Sequence, residues 1–398
     1  MSDTAKYVED MIAWRRHLHM YPEASFEEHE TVKYLREVLT ERAPSAKLSH
    51  PTPTSMIAVF DTGRPGPKIG LRTDTDGLIM SEDRPDLEFA SRNENRMHGC
   101  GHDGHMAVVL SAMAWVEDNL EDMTGTIVGI FQHAEETPPG GAKEMVATGL
   151  FDDYDYIFGF HLWATLPIGT IDIKEGPASA NSDLWEMTFK GKGAHASTPE
   201  DSISPTVAAA NMTNQLLNIA SVRVSGLEPA VVTTTFMEAG SADALNVIPP
   251  VAKIGGVVRT HNDDVQVKVQ EIMHDLVAAA ERANPGMEIE LDYLVGYPMV
   301  WNDPQRTAIV RELAEARYPG KIISDPAMLG GEDFAEFSRV APATYIFVGA
   351  GNPEKGFDAG HHNPRFGIDE DSLEIALQLT IDVLKNRERL GGIHSTDA

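Results

Sequence analysis

Met97-His98-Gly99-Cys100-Gly101-His102-Asp103-Gly104-His105 gathers three histidines, the only cysteine of the chain, a carboxylate and three glycines in nine residues. The stretch reads as half of a metal site. Thiolate, imidazole and carboxylate are the side chains that bind zinc, cobalt, nickel or manganese, and glycines between them let the backbone turn sharply enough for near neighbours to converge. Downstream, Met106, Val109, Leu110, Met113 and Val116 recur at helical spacing, so the loop opens into a buried helix. Taken singly, each side chain has a plainer reading. A lone Cys is usually a small buried hydrophobe, and a lone His a hydrogen-bonded core or surface residue. Together in nine residues they favour a metal.

The 398 residues exceed what one ordinary core holds, which points to two domains. With 61 acidic against 32 basic residues, the formal charge of -29 excludes a nucleic-acid or anionic-membrane partner as the natural reading. An anionic substrate must then be attracted locally against the overall field. One cysteine leaves no internal disulfide framework and fits a reducing compartment. The opening residues lack a basic stretch followed by an apolar one, and no long apolar run follows, so the expected location is the cytoplasm.

Going outward from the metal-binding stretch, helical spacing predicts helices from Val8 to Leu18, closed by Tyr21-Pro22, and from Thr31 to Leu39. Apolar runs at 56–60, 69–73, 126–132 and 156–160 read as buried strands. Their alternation with helices argues an α/β layer with a mixed, largely parallel sheet. From about residue 183 the order becomes strand, helix, strand, strand, helix, strand, the split βαβ or ferredoxin-like arrangement. The expected division is a catalytic domain of 1–181 and 293–398 with an inserted βαββαβ lid or dimerisation domain at 182–292. A helix near 303–317, a strand at 344–348 and a helix near 372–389 complete the first domain. The tail 394–398 is polar and expected to fray.

Strands deliver functional side chains at their carboxyl ends. Asp74 and Asp76 follow one strand, Glu135 and Glu136 another, and His161 a third. Neighbours in an extended chain point to opposite sides, so one glutamate of the pair is expected to ligate while the other serves as general base. The plainer alternative is an acidic pair on a solvated loop before Pro138-Pro139. Gly360-His361-His362-Asn363-Pro364 offers a late imidazole. Glu332-Asp333 supports the site or merely starts a helix.

The chain resembles the M20 metallopeptidase clan, most closely its aminoacylase and amidohydrolase branch of hippurate hydrolases, N-acetyl-amino-acid deacetylases and auxin-conjugate hydrolases. The likeness is carried nearly end to end by His19-Met20-Tyr21-Pro22-Glu23, Leu71-Arg72-Thr73-Asp74-Thr75-Asp76, the stretch 97–105, Phe131-Gln132-His133-Ala134-Glu135-Glu136, Gly159-Phe160-His161, Gly191 to Ala196, Asn246-Val247-Ile248-Pro249, Gly330 to Phe334 and His362-Asn363-Pro364-Arg365-Phe366. The resemblance implies a zinc-exopeptidase-like catalytic domain holding two divalent ions (Zn, Mn, Co or Ni) on Cys100, His102, Glu136, His161 and His362. It makes Glu135 the base, Asp76 the residue that orients His102, and Cys100 the bridging thiolate. The His two positions before Pro is the family's last ligand, which selects His362 over His361. His195 is expected to donate to the developing oxyanion, and Asn246 and Arg259 to hold the substrate carboxylate. For Arg259 a surface salt bridge is an equal alternative. Some relatives take the equivalent of His195 from a partner subunit, which allows a homodimer here. Gly77, Ile79-Met80, Thr137-Pro138-Pro139 and Gly360-His361 depart from the family pattern without removing a ligand.

The reading that follows is hydrolysis of the amide of an N-acyl amino acid. Rivals are an exopeptidase, dipeptidase or N-carbamoyl hydrolase using the same centre, a metal-binding protein without catalysis, and a hydrolase using Cys100 as nucleophile.

Overall fold

The computed structural model describes residues 3–325 and 328–392. In chain order the elements are α1 (Val8–Met20), α2 (His29–Arg42), β1 (Lys47–Ser49), β2 (Met56–Asp61), β3 (Lys68–Asp74), α3 (His102–Asp118), β4 (Thr126–Gln132), α4 (Gly141–Val146), β5 (Tyr156–Pro167), β6 (Ile171–Asp172) and β7 (Gly176–Pro177). There follow β8 (Asn181–Lys190), β9 (Ala194–His195), α5 (Pro205–Asn218), β10 (Ala230–Ala239), β11 (Val247–Ile248), β12 (Val251–Thr260), α6 (Asp263–Ala283) and β13 (Glu288–Tyr297). The chain closes with β14 (Trp301–Asn302), α7 (Pro304–Arg317), β15 (Ile322–Ile323), α8 (Ala335–Val340), β16 (Ala343–Gly351), α9 (Asp371–Lys385) and α10 (Arg387–Gly391). The tail expected to fray lies outside the described residues.

The chain divides into two compact units, one of Met1–Ala178, Val300–Pro326 and Asp333–Ala398, the other of Ser179–Met299 and Ala327–Glu332. In the first, eight strands form a mixed sheet in the order β1-β2-β4-β3-β5-β16-β6-β15. Its centre is parallel: β3 runs with β4 and with β5, and β5 with β16. β3 and β4 are buried at every position but the first, and β16 throughout, so both faces of the centre are covered. This explains their continuous rather than alternating apolar sequence. Helix α3 is buried from His102 to Val116 and packs against α1, α2 and α9 as well as β3, β4 and β5.

The helix expected from Met106 begins four residues earlier, at His102. Gly101 makes this start, since its left-handed φ of +97° is one L side chains avoid. Gly104 allows the first turn to lie on β5, because a Cβ there would come within 2.6 Å of the Leu162 side chain. The ligand-type residue His102 therefore stands in the first turn of a rigid helix and not in a free loop. A second difference concerns β5, which continues past His161 to Pro167, so this histidine lies within the strand. Its level is nonetheless the carboxyl end of the sheet. Arg72 stands opposite Gly159, which puts the close of β3 beside His161.

The second unit shows the strand and helix order read from the sequence. Its antiparallel sheet has the order β10-β12-β8-β13, which from the β13 edge is fourth-first-third-second when only the four strands of this sheet are counted. Trp185, Met187 and Phe189 alternate on β8 and face a core shared with Met212 and Leu216 of α5 and Val269 and Met273 of α6.

Candidate metal centre

Asp74 closes β3, and its carboxylate is already committed. Oδ2 accepts from Arg72 Nη1 at 2.8 Å and Oδ1 from His105 Nδ1 at 2.7 Å. Arg72, wholly buried, also donates to Gln132 and to Asp333, which accepts from Gln132 Nε2 and the Ala142 amide as well. Asp333 is thus a buried tie between the ends of β3 and β4. It is neither a helix cap nor a solvated acid.

Two residues on, Asp76 turns toward the nine-residue stretch. Its carbonyl accepts from His102 Nδ1 at 2.9 Å, and its Oδ1 lies 3.4 Å from the same nitrogen. The orienting contact to His102 is therefore made first by backbone. The other carboxylate oxygen accepts from Ser25 Oγ at 2.7 Å and from the Glu136 amide at 3.0 Å.

The glutamate pair does not continue β4 in extended form, which corrects the expectation of opposite-facing side chains. β4 ends at Gln132, and Ala134 takes a left-handed φ of 51°. Buried Glu28 holds this turn, its Oε1 accepting from the Ala134 amide at 2.8 Å. After such a turn both carboxylates reach one side, and those of Glu135 and Glu136 gather with His102 within 4.8 Å. Burial, helped by the charge of Asp76, raises the Glu28 carboxyl to about 7.

Around Cys100 two such gatherings meet: Cys100 with Glu136 and His362, and Cys100 with His161 and His361. His362 Nε2 lies 3.2 Å from Glu136 Oε2, and the His362 amide donates to the Gly99 carbonyl, which ties the late loop to the early one. The first unit therefore assembles Asp76, Cys100, His102, Glu135, Glu136, His161 and His362. His195, Asn246 and Arg259 belong to the second unit. There His195 sits on β9, exposed, its Nδ1 accepting from the Ser197 amide at 3.2 Å, which puts the ring proton on Nε2. Asn246 is exposed, with its carbonyl accepting from the Ala196 amide. Arg259 spends Nη1 on the carbonyls of Asp183 and Val258, and burial lowers its pKa.

The donors fit divalent cations. His102 Nε2 and Glu136 Oε1 are buried without a hydrogen-bond partner and stand 3.9 Å apart. Buried polar atoms left so are rare unless something binds them. Cys100 Sγ and His161 Nε2 stand 3.5 Å apart, the separation of roughly 3.5 Å that a shared tetrahedral ion with ordinary sulfur and nitrogen bonds requires. The charges agree. Burial opposes protonation of His102, yet Asp74, Asp76 and Glu136 raise it to about 10, so the pocket demands positive charge. Burial, then Glu136, Glu135 and Asp74, holds the Cys100 thiol well above its ordinary range. A nucleophilic cysteine needs the reverse, an electropositive setting, and this counts against Cys100 as nucleophile.

His98 stays outside these gatherings, buried with neither ring nitrogen partnered; burial lowers it to about 4. Ser25 and Glu28, which the sequence did not mark, support the site, and so does His105, one of the three histidines of the nine-residue stretch, through its bond to Asp74.

The model of Peptidase family M20/M25/M40 matches residues 70–386. The chain belongs to that family. The matched span holds every residue gathered around Cys100. Among relatives, the N-acetylcysteine deacetylase of Bacillus subtilis (strain 168) is 35% identical over 378 residues, 95% of this chain and 96% of that protein. The N-acyl-L-amino acid amidohydrolase of Geobacillus stearothermophilus is 39% identical over 293 residues, 74% of this chain and 78% of the other. Thermostable carboxypeptidase 1 of Saccharolobus solfataricus is 31% identical, covering 94% of this chain and 95% of that one. A crystal structure of a Bacillus subtilis protein described as a dinuclear metal binding peptidase from the M20 family superposes with a TM-score of 0.82 at 31% identity, over 96% of this chain and 99% of the other.

Proposed function

We propose that this M20 family member is a metal-dependent amidohydrolase that releases the acyl group from an N-acyl amino acid. Cys100, His102, Glu136, His161 and His362 would hold two divalent ions, and Glu135 would act as general base. The observation that carries the reading is the pair of buried, unpartnered donor atoms His102 Nε2 and Glu136 Oε1 beside Glu135. Cys100 belongs to two donor groups at once, as a bridging ligand must. The N-acyl amino acid class is supported by the names of the two relatives of highest identity described above.

Divalent ions in this site would supply Lewis acidity toward the scissile carbonyl and toward the attacking water. The chain's own residues do the rest. Glu135 accepts one proton of the attacking water on its carboxylate and returns it to the departing amine nitrogen as the C–N bond breaks, so the amino acid leaves as amine and the acyl group as carboxylic acid, which gives the water's second proton to solvent and becomes carboxylate. Asp76, through its carbonyl, keeps the proton of His102 on Nδ1 and so leaves Nε2 for the metal. His195, with its proton on Nε2, is suited to donate to the oxyanion, and Arg259 and Asn246 to bind the substrate carboxylate. The enzyme is proposed to work in the cytoplasm on small anionic substrates; no helix among the described residues is long and apolar enough to cross a membrane.

Glu135→Gln keeps the side-chain shape but removes the base. Its turnover should fall at least about 100-fold while bound metal, measured by elemental analysis, is unchanged. Full turnover in that variant would refute the assignment. Profiling N-acetyl, N-benzoyl and N-carbamoyl amino acids against dipeptides separates the amidohydrolase reading from a peptidase, which the carboxypeptidase relative keeps in play.

A further inference from the structure

Two consecutive histidines, His361 and His362, approach Cys100, and their hydrogen bonds divide their roles. The His361 Nδ1 lies 3.7 Å from Cys100 Sγ, within reach for a bond to sulfur. Its other ring nitrogen, Nε2, accepts from the Ala164 amide of β5 at 3.1 Å. A neutral imidazole has one lone pair and one N–H. The nitrogen that accepts the amide holds the lone pair, so the proton is on Nδ1, which faces Cys100, its sulfur and also its backbone carbonyl. His161 offers the same sulfur the opposite group. Its Nδ1 donates to the Leu162 carbonyl at 3.0 Å, which leaves the lone pair on Nε2. The His361 ring is fixed in place by Trp163 at 4.3 Å between centroids, by Phe366 at 5.0 Å, and by the edge of His161 at 5.1 Å.

We infer that His361 is a positioning residue that donates its Nδ1–H to the Cys100 sulfur and does not itself ligate a metal. The inference rests on the metal-centre reading above for its consequence, which is that the sulfur gives less electron density to any ion it binds. Hydrogen bonds to a ligand sulfur are a known lever on such ions. An apolar side chain at this position could not act so.

Cobalt(II) is the probe, because sulfur bound to it gives a charge-transfer band. His361→Leu is expected to take up the same number of cobalt equivalents as the parent, with the band moved to longer wavelength, since electrons on an unbonded sulfur lie higher. His361→Asn, whose amide N–H can stand near the place of Nδ1, should bring the band back toward the parent. His362→Ala should instead lose cobalt. A lost equivalent in His361→Leu, or a band that does not move, overturns the inference. Nitrogen-15 spectra of histidine-labelled, metal-free parent protein supply the second reading. The inference requires the His361 signal, identified by its absence in His361→Asn, to be that of the Nδ1–H tautomer, and an Nε2–H tautomer overturns it. If the parent takes up no cobalt, the metal-centre reading fails, and the tautomer still decides the hydrogen bond by itself.

Discussion

Each histidine of the site is sorted by what its ring nitrogens already do. His102 and His161 give their Nδ1 protons to carbonyls and keep Nε2 for the centre. His105 has nothing left to offer, because Nδ1 bonds Asp74 and Nε2 accepts the Leu162 amide at 2.9 Å. This distinction yields a prediction. His102→Ala should lose bound metal, whereas His105→Leu should keep both ions and lose stability instead. The loss is about 1–3 kcal/mol for each buried group left without its partner, read by calorimetry beside elemental analysis. Equal metal loss in both variants would contradict the sorting. At this scale the sequence was informative about residue types and blind to their commitments. Cys100, His102, Glu135 and Glu136 stand out as chemistry-bearing, but nothing local to Glu135 foretells that Ala134 turns left-handed. That conformation is held by Glu28, a contact between residues far apart in the chain.

Among elements, the long strands and helices were legible because their apolar spacing records burial on one or both faces. The two-residue strands β6 and β15 and the six-residue helices α4 and α8 were not, since pieces so short carry no period and exist by tertiary pairing. The join between α1 and α3 is a buried polar cluster: Arg15 Nε donates to Asp103 at 2.8 Å, and His19 bridges Asp103 and Glu82. Burial works against both charges, yet Arg15 and His19 hold Asp103 far below the carboxylate range, while Asp103 and Glu82 raise His19. The signs follow. A depressed acid stabilises above its unfolded pKa of about 3.9 and ceases to as pH falls through its folded value, while a raised histidine stabilises below about 6.5 and ceases to as pH rises through its folded value. The melting-temperature gap between parent and His19→Gln should therefore be wider near pH 5.5 than near pH 9; a gap independent of pH would refute this. At the other tie, Asp333→Ala leaves the buried Arg72 guanidinium short of an acceptor and should cost about 3–5 kcal/mol, measured by denaturant unfolding. A loss below 1 kcal/mol would show that β3 and β4 do not depend on it.

For the whole molecule the charge of -29 sets the terms on which an anionic substrate arrives. Raising ionic strength from about 10 mM to about 150 mM shortens the screening length from about 30 Å to about 8 Å. With an N-acyl amino acid as substrate, kcat/KM should therefore rise with salt over that range, about two- to threefold, and a fall would mean that local positive charge governs the encounter. The central claim is more direct. Five side chains from separate parts of the first unit meet in a pocket whose charges call for cations. Titrating active, chelator-stripped protein with a divalent metal while following turnover tests this most plainly. The account predicts no turnover in the stripped protein and full recovery at two equivalents per chain; undiminished turnover after complete stripping would contradict it.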